Sequence, residues 1–188
     1  MAKEIYILLT DTGTIFTRLI KLYTRAPYNH ASIALDRQLK EVYSFGRKRP
    51  HNPFIGGFVH ENMEGKLFEK AKCAIYRCKV SDNDYEKIHK HILEMKANQA
   101  QYKYNLLGLI AIILNKKMKR KNAYFCSQFV AAVFETMGTP LVNRSSANVT
   151  PQQLSASHAL ELIYIGELNG YLEKKGLRSI PIQLQEVG

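Results

Sequence analysis

Apolar residues recur at two spacings along the chain, and these spacings separate strands from helices. Short apolar or alternating runs predict β-strands at residues 4–10, 30–36, 41–46, 56–61, 72–80 and 162–166. Apolar residues three and four positions apart predict helices at residues 15–24, 85–97, 102–114 and 126–138, with a shorter one at 150–160. Because strands and helices are segregated along the chain, we predict the α+β class, with an antiparallel sheet packed against helices.

The strands at residues 30–36 and 41–46 are close enough in sequence to predict a β-hairpin. A basic, proline-bounded stretch at residues 47–53 follows them and predicts a loop. The length of 188 residues and the hydrophobic fraction of 46% suit a single globular domain and argue against a disordered chain.

Charge changes this picture by indicating an acidic partner. Lysine and arginine number 27 against 16 acidic residues, a formal net charge of +11. Such an excess favours nucleic acid, an anionic membrane or an anionic substrate. No nucleic-acid motif is present, and aromatic residues are not interleaved with the basic run at 116–121, so we expect no nucleic-acid partner. A non-catalytic basic binding module is nevertheless kept as a second hypothesis on charge alone.

Neither an export signal nor a membrane span is predicted. The N-terminal apolar run is short, follows Glu4 and lacks a small-residue cleavage site. The longest apolar run, residues 106–114, is far shorter than the ~20 residues that cross a bilayer. We therefore expect a cytoplasmic protein, with weak contact between the segment 106–121 and a membrane surface as an open alternative.

The three cysteines do not form a disulfide framework, and one of them has a distinctive position. Cys73 and Cys78 lie five residues apart in one predicted strand, so they face opposite sides and are expected to be structural. Cys126 lies in the first turn of an amphipathic helix that Gly138 and Pro140 terminate. The N–H groups and dipole of a helix start favour a thiolate, as a cysteine nucleophile requires.

A cysteine nucleophile also needs a base, and histidine is the usual one. His30 opens an apolar strand after a turn, where its side chain can face a cleft at the edge of the sheet. His60, beside Glu61 at another strand end, is the second candidate.

These residues carry a resemblance to a known family. The sequence Cys-Ser-Gln-Phe-Val at residues 126–130, with the apolar helix that follows, resembles the Cys-Ser-Gly-Phe-Val helix of NlpC-type papain-fold cysteine peptidases. The sequence Tyr-Asn-His-Ala-Ser-Ile-Ala-Leu at 28–35 precedes it, whereas in ordinary members the cysteine comes first. This order is similar to the circularly permuted branch, the YiiX/YebB-like hydrolases, with lecithin:retinol acyltransferase a more distant relative. The resemblance covers residues 5–170.

The resemblance implies a papain-like fold and a thiol protease or amidase mechanism. In it Cys126 attacks a carbonyl carbon, His30 carries the proton, and water or another nucleophile resolves the acyl-enzyme. The substrate class it implies is small peptides such as cell-wall fragments, with lipid acyl transfer or thioester hydrolysis as the alternative. No cofactor or metal is expected, and the substrate is expected to be anionic.

The third catalytic residue is open between three candidates. Relatives carry a polar residue on the strand after the histidine strand, where this chain offers Glu41, Tyr43 and Ser44. Alignment favours Tyr43, and a shift of one residue gives Ser44. Alternation places Glu41 and Tyr43 on one face and Ser44 on the other.

The remaining candidates surround the expected nucleophile. Tyr28 and Tyr124 are expected to line the substrate cleft, and the Cys126 N–H is expected to donate to the oxyanion. Gln128 is expected to lie along the surface of the cysteine helix.

Overall fold

The computed structural model describes residues 2–13, 26–49, 52–104, 122–143 and 145–174. The predicted helix at 15–24, the apolar run at 106–114 and the basic run at 116–121 lie outside the described residues.

Strands and helices are largely segregated along the described chain, as the sequence predicts, because five strands precede the first described helix. Its strands are β1 (Lys3–Asp11), β2 (His30–Ala34), β3 (Val42–Arg49), β4 (Asn52–His60), β5 (Lys72–Val80), β6 (Lys103–Tyr104), β7 (Ala123–Tyr124) and β8 (Glu161–Glu167). Its helices are α1 (Asp82–Ala97), α2 (Cys126–Thr136), α3 (Pro151–Ser155) and α4 (Leu168–Glu173), with single 3-10 turns at Gln99–Gln101 and Ser146–Asn148.

One six-stranded sheet organises the described residues. Its strand order is β4-β3-β2-β1-β5-β8, and every neighbouring pair is antiparallel. The register pairs Thr10 of β1 with His30 of β2 on one side and with Cys73 of β5 on the other. The α+β class with an antiparallel sheet packed against helices is therefore confirmed, as is the predicted hairpin of β2 and β3.

The sheet separates two apolar cores because successive strand residues face opposite sides. In β1, Ile5, Ile7 and Leu9 belong to the larger core, which also contains residues of α1 and α2, whereas Tyr6 and Leu8 belong to the smaller core with α4. Cys78 lies in the larger core and Cys73 in the smaller one, which confirms that the two thiols face opposite sides. Both are buried and free.

The hairpin of β3 and β4 is longer than the sequence predicts. The predicted loop at 47–53 is wrong at its ends, because pairing continues from Arg47↔Gly56 to Arg49↔Asn52 across a register shift. Proline suggested a loop, but Pro53 lies in β4, the edge strand of the sheet. An edge strand accepts proline because one side of its backbone lacks a strand partner.

The helices begin and end at residues of the expected types. Ser81 caps α1 by accepting a hydrogen bond from the Asp84 N–H, and Thr150 caps α3 through the Gln153 N–H. Gly138 follows α2 with φ of 77°, a conformation that favours glycine, and its N–H donates to the Glu135 carbonyl. The helix predicted at 150–160 is shorter than expected because α3 ends at Ser155.

The helix predicted from residue 102 does not begin there. Lys103 and Tyr104 form β6, which pairs in parallel with β7 at Lys103↔Ala123 and Tyr104↔Tyr124. Strand pairing with a distant segment thus overrides the local helical spacing. Among the described helices none is both long and apolar enough to cross a bilayer.

Close packing against β4 holds the segment that leads to β6. A Cβ on Gly57 would lie 2.5 Å from the Tyr102 carbonyl oxygen. Gly57→Ala is therefore expected to lower the free energy of unfolding by about 1–3 kcal/mol, because backbone must move to admit the methyl group. Urea denaturation measures this loss, with the exposed Lys79→Ala in β5 as a control expected within about 0.5 kcal/mol of wild type. Equal stability of the two variants would contradict the close approach.

Candidate active site

Three polar residues from separate parts of the chain converge at the N-terminus of α2. Cys126 is the first residue of α2, His30 is the first residue of β2, and Glu61 directly follows β4. The Glu61 N–H donates to the Val42 carbonyl at 2.8 Å, which ties this residue to β3. The structure thus brings the predicted nucleophile and base together and adds a carboxylate.

The sulfur of Cys126 accepts hydrogen bonds from the backbone. The N–H groups of Ala31 and Ser127 donate to it. Ala31 pairs with Leu9 of β1, whereas β3 pairs with β2 only at Ile33↔Tyr43 and Ala34↔Val42, so no β3 residue lies opposite Ala31. Cys126 is 7% exposed, so these donors act on a largely desolvated sulfur.

The N-terminus of α2 is capped by the side chain of Gln128 rather than by the side chain of its N-cap residue. Phe125 occupies the N-cap and contributes no side-chain cap. Instead its N–H donates to Oε1 of Gln128 at 3.4 Å. Gln128 is buried, so the prediction that it lies on the helix surface is wrong. Its amide caps the helix because no polar side chain at position 125 can do so.

His30 lies between the thiol and the carboxylate. Its Nε2 is 2.7 Å from Oε1 of Glu61, and its side chain is also hydrogen-bonded to Cys126. Since Nε2 is engaged by the carboxylate, Nδ1 is the ring nitrogen left for the sulfur. The His30 side chain is 15% exposed and the Glu61 side chain 6% exposed, so the pair is shielded from water.

Two serines complete the surroundings of Glu61. Ser32 of β2 donates its hydroxyl to Oε2 at 2.6 Å. Ser44 of β3 donates its hydroxyl to Oε1 at 2.8 Å. Glu61 therefore accepts three side-chain hydrogen bonds, as a buried carboxylate needs if it is to remain charged.

The pKa shifts within this cluster favour charged forms. Burial raises the pKa of the Cys126 thiol, but the hydrogen bond and charge of His30 and the two N–H donors outweigh it and hold the pKa below its ordinary value. Burial lowers the pKa of His30, but the charge of Glu61 and hydrogen bonds to Cys126 and Glu61 raise it to about 10. Burial likewise raises the pKa of Glu61, but the charge of His30 and the hydrogen bonds from His30 and the two serines outweigh it and hold the pKa below its ordinary value.

The surroundings of the three groups therefore favour a thiolate, an imidazolium and a carboxylate. A thiolate is the nucleophilic form of cysteine, and an imidazolium beside it can donate a proton to a leaving group. The other two cysteines differ, because burial raises the pKa of Cys78 to about 11 and that of Cys73 to about 12.

Tyr43, which the sequence favoured as the orienting residue, does not contact His30. It is buried, its hydroxyl donates to the Glu41 carboxylate, and Lys96 donates to that hydroxyl at 3.3 Å. The alternative Glu41 is half exposed and is likewise engaged with Tyr43. Ser44, the third alternative, lies on the correct face but reaches His30 only through Glu61. The residue against His30 is Glu61.

Sequence reasoning missed Glu61 because it searched only the strand directly after His30. A signal was present in the alternation of β4. Val59 pairs with Ser44, and Glu61 lies two residues further along the same face. The sequence instead drew attention to His60, whose Nε2 lies 2.9 Å from the Lys40 carbonyl oxygen and contacts neither Cys126 nor His30.

Tyr28 and Tyr124 lie in the segments that lead into His30 and Cys126. Tyr28 lies two residues before His30 and Tyr124 two residues before Cys126, and both are half-buried against the larger core. The Tyr124 ring centroid is 5.0 Å from that of Phe45. Burial raises the pKa of both hydroxyls, so they stay neutral. Their contact with substrate stays a prediction.

The comparisons with known proteins leave the site to be interpreted on its own geometry. No family model matches the sequence, and no curated protein gives a significant match. Within the described ranges, no group of three or more histidine, cysteine, aspartate or glutamate residues is arranged to hold a metal ion.

Proposed function

We propose that the chain is a cysteine hydrolase that cleaves an amide or ester bond through an acyl-enzyme. The observation that carries this proposal is that His30 is hydrogen-bonded both to Cys126 and to Glu61 at the start of α2. A nucleophile, a base within hydrogen-bonding reach and a third group that orients the base are the parts that covalent catalysis of this kind requires.

In the first step, the Cys126 thiolate attacks the substrate carbonyl carbon. A C–S bond forms and the carbonyl electron pair moves to oxygen. The Cys126 N–H has no acceptor within the helix, because it belongs to the first residue of α2, and it is the proposed donor to this oxyanion. The oxyanion then collapses, the C–N or C–O bond breaks, and the His30 imidazolium gives its proton to the leaving amine or alcohol.

In the second step, the thioester is hydrolysed. Neutral His30 takes a proton from a water molecule while the oxygen of that water attacks the thioester carbon. The C–S bond then breaks, which returns the thiolate and releases a carboxylic acid. Glu61 remains ionised throughout, since it contacts Nε2 and stabilises the imidazolium whenever that form is present.

The papain-like, circularly permuted architecture is part of the same proposal. It is supported by an antiparallel sheet, a cysteine at a helix start and a histidine at a strand start that precedes it in the chain. With that architecture we propose small peptides, such as cell-wall fragments, as the substrate class and the cytoplasm as the location. The net charge of +11 favours an anionic substrate.

The first test is the pH dependence of iodoacetamide alkylation at each cysteine, read by mass spectrometry. At neutral pH we expect Cys126 to react more than about tenfold faster than Cys73 and Cys78, because only its thiolate is stabilised. His30→Ala should raise the pH at which Cys126 reacts. It removes the imidazolium that, together with two N–H donors, lowers the pKa of the thiol.

The two structural cysteines serve as internal controls in the same sample. If Cys126 reacts no faster than these two cysteines, or if His30→Ala leaves the pH dependence of its alkylation unchanged, the proposed mechanism is ruled out. A basic binding module would then be the better explanation of the charge. If Cys126 reacts as expected, a panel of peptide amides, carboxylic esters and thioesters identifies the bond that is cleaved.

A further inference from the structure

The carboxylate of Glu61 is surrounded by strand hydroxyls in a way that the reaction alone does not explain. Its contact with His30 uses one lone pair of Oε1. Ser44 occupies another position on Oε1, and Ser32 occupies Oε2. Both serines are almost fully buried, at 0% and 1% exposure, so water does not replace them.

The geometry around Ser44 leaves room for this arrangement. Gly46 lies two residues further along β3, on the same face as Ser44. A Cβ at Gly46 would lie 3.4 Å from the Ser44 hydroxyl and 3.7 Å from Oε1 of Glu61. A Cβ at this position would be in ordinary van der Waals contact with the hydroxyl and the carboxylate, so the backbone of β3 passes close beside both groups.

The two hydroxyls determine the orientation of the carboxylate. With His30 alone, Oε2 would be buried without a donor, and the carboxyl group could rotate or take up a proton. Donors on both oxygens, from two adjacent strands, hold the plane of the group and maintain its charge.

We propose that Ser32 and Ser44 are positioning residues that jointly hold the Glu61 carboxylate against Nε2 of His30. They act on the thiol through Glu61 and His30 and do not touch it. Their importance for turnover rests on the proposed hydrolase function, but their effect on the Cys126 thiol does not require a substrate.

The test compares Ser32→Ala and Ser44→Ala in the wild-type chain and in a Glu61→Gln background. In the wild-type chain, each is expected to slow Cys126 alkylation about tenfold near pH 6 and to move its pH profile upward, because a hydrogen bond to a charged group is lost. In the Glu61→Gln background, the same changes should alter the rate less than about twofold, because the charge through which they act is gone.

Thr10→Val is the matched control. Thr10 is a β1 residue buried to 1% exposure opposite His30, and its hydroxyl has no hydrogen-bond partner among the described residues. Removing that hydroxyl should leave the alkylation profile unchanged. Ser44→Thr, which restores a hydroxyl at the same position, should return the profile toward wild type. If Ser44→Ala fails to fold, Ser32→Ala supplies the same comparison from β2.

Equal effects of a serine substitution in the two backgrounds would overturn the proposal, since the serines would then act on packing rather than through Glu61. Profiles indistinguishable from Thr10→Val would overturn it too. Failure of the proposed function has a different signature. A chain that hydrolyses no amide or ester yet shows the coupled shift keeps the serine proposal and refutes the hydrolase. A chain that hydrolyses its substrate, but whose alkylation pH profile is unchanged by the serine substitutions, keeps the hydrolase function and refutes the serine proposal.

Discussion

Cys126→Ala is expected to lower kcat/KM for the cleaved substrate by at least about 10⁴-fold, because loss of the nucleophile removes the covalent pathway entirely. The residual rate would come from substrate binding and the backbone donors at the start of α2. Cys126→Ser should be nearly as inactive, although it preserves the shape of the site. A serine hydroxyl is far less acidic than a thiol, and the interactions that stabilise a thiolate here are too weak to ionise it.

The measurement is steady-state hydrolysis of the substrate identified by the amide and ester panel, with intact-mass detection of the acyl-enzyme. Cys78→Ala is the matched control, because Cys78 is also buried and free but lies in β5 within the larger core. It should keep wild-type kinetics in the folded protein. Retention of more than a tenth of the activity by Cys126→Ala would rule out the thiol as nucleophile.

Glu61→Gln is expected to lower kcat by about 10²–10⁴-fold, because it removes the charge that stabilises the imidazolium while nearly preserving the shape of the side chain. The sign of the pH effect follows from the shifts. Without the carboxylate, the pKa of His30 falls from about 10 toward its ordinary value, so the acid form is lost at lower pH. The weakened imidazolium also stabilises the thiolate less, so Cys126 ionises at higher pH.

The bell-shaped pH profile of kcat/KM should therefore narrow from both sides in Glu61→Gln. Glu41→Gln is the matched control, because Glu41 is a carboxylate on the neighbouring strand end that contacts Tyr43 and not His30. Its profile should overlay wild type. A narrowed profile in Glu41→Gln and an unchanged one in Glu61→Gln would instead favour Glu41, one of the sequence alternatives, as the residue that orients His30.

Local patterns account for the parts of the site that lie within single elements. The 3.6-residue spacing after Cys126 and the glycine at 138 define α2, and they place the cysteine at its start. The apolar run after His30 defines β2 with the histidine at its first residue. Each of these features depends on neighbours in sequence, so periodicity and termination signals suffice to predict it.

The parts that could not be predicted depend on contacts between distant segments. Glu61 reaches His30 only because β4 pairs with β3 in a register that no local spacing determines. The choice between Tyr43 and Ser44 depended on the face that each presents, and a one-residue shift reverses the face. Lys103 and Tyr104 became strand residues through pairing with residues 123 and 124. In each case tertiary context decided the outcome.

The thiol at the start of α2 has a consequence for how the chain matures. The groups that ionise it, His30 and the Ala31 N–H, are synthesised early, and the sulfur itself comes late. Contacts between such distant residues form slowly, because a long loop must close first. Before these contacts form, Cys126 is an ordinary thiol with a pKa of about 8.5, so it is almost fully protonated near pH 6. A rise in the rate of Cys126 alkylation near pH 6 during refolding should therefore report that β2 and α2 have come into contact. The thiol is thus a probe within the chain for a late step of folding.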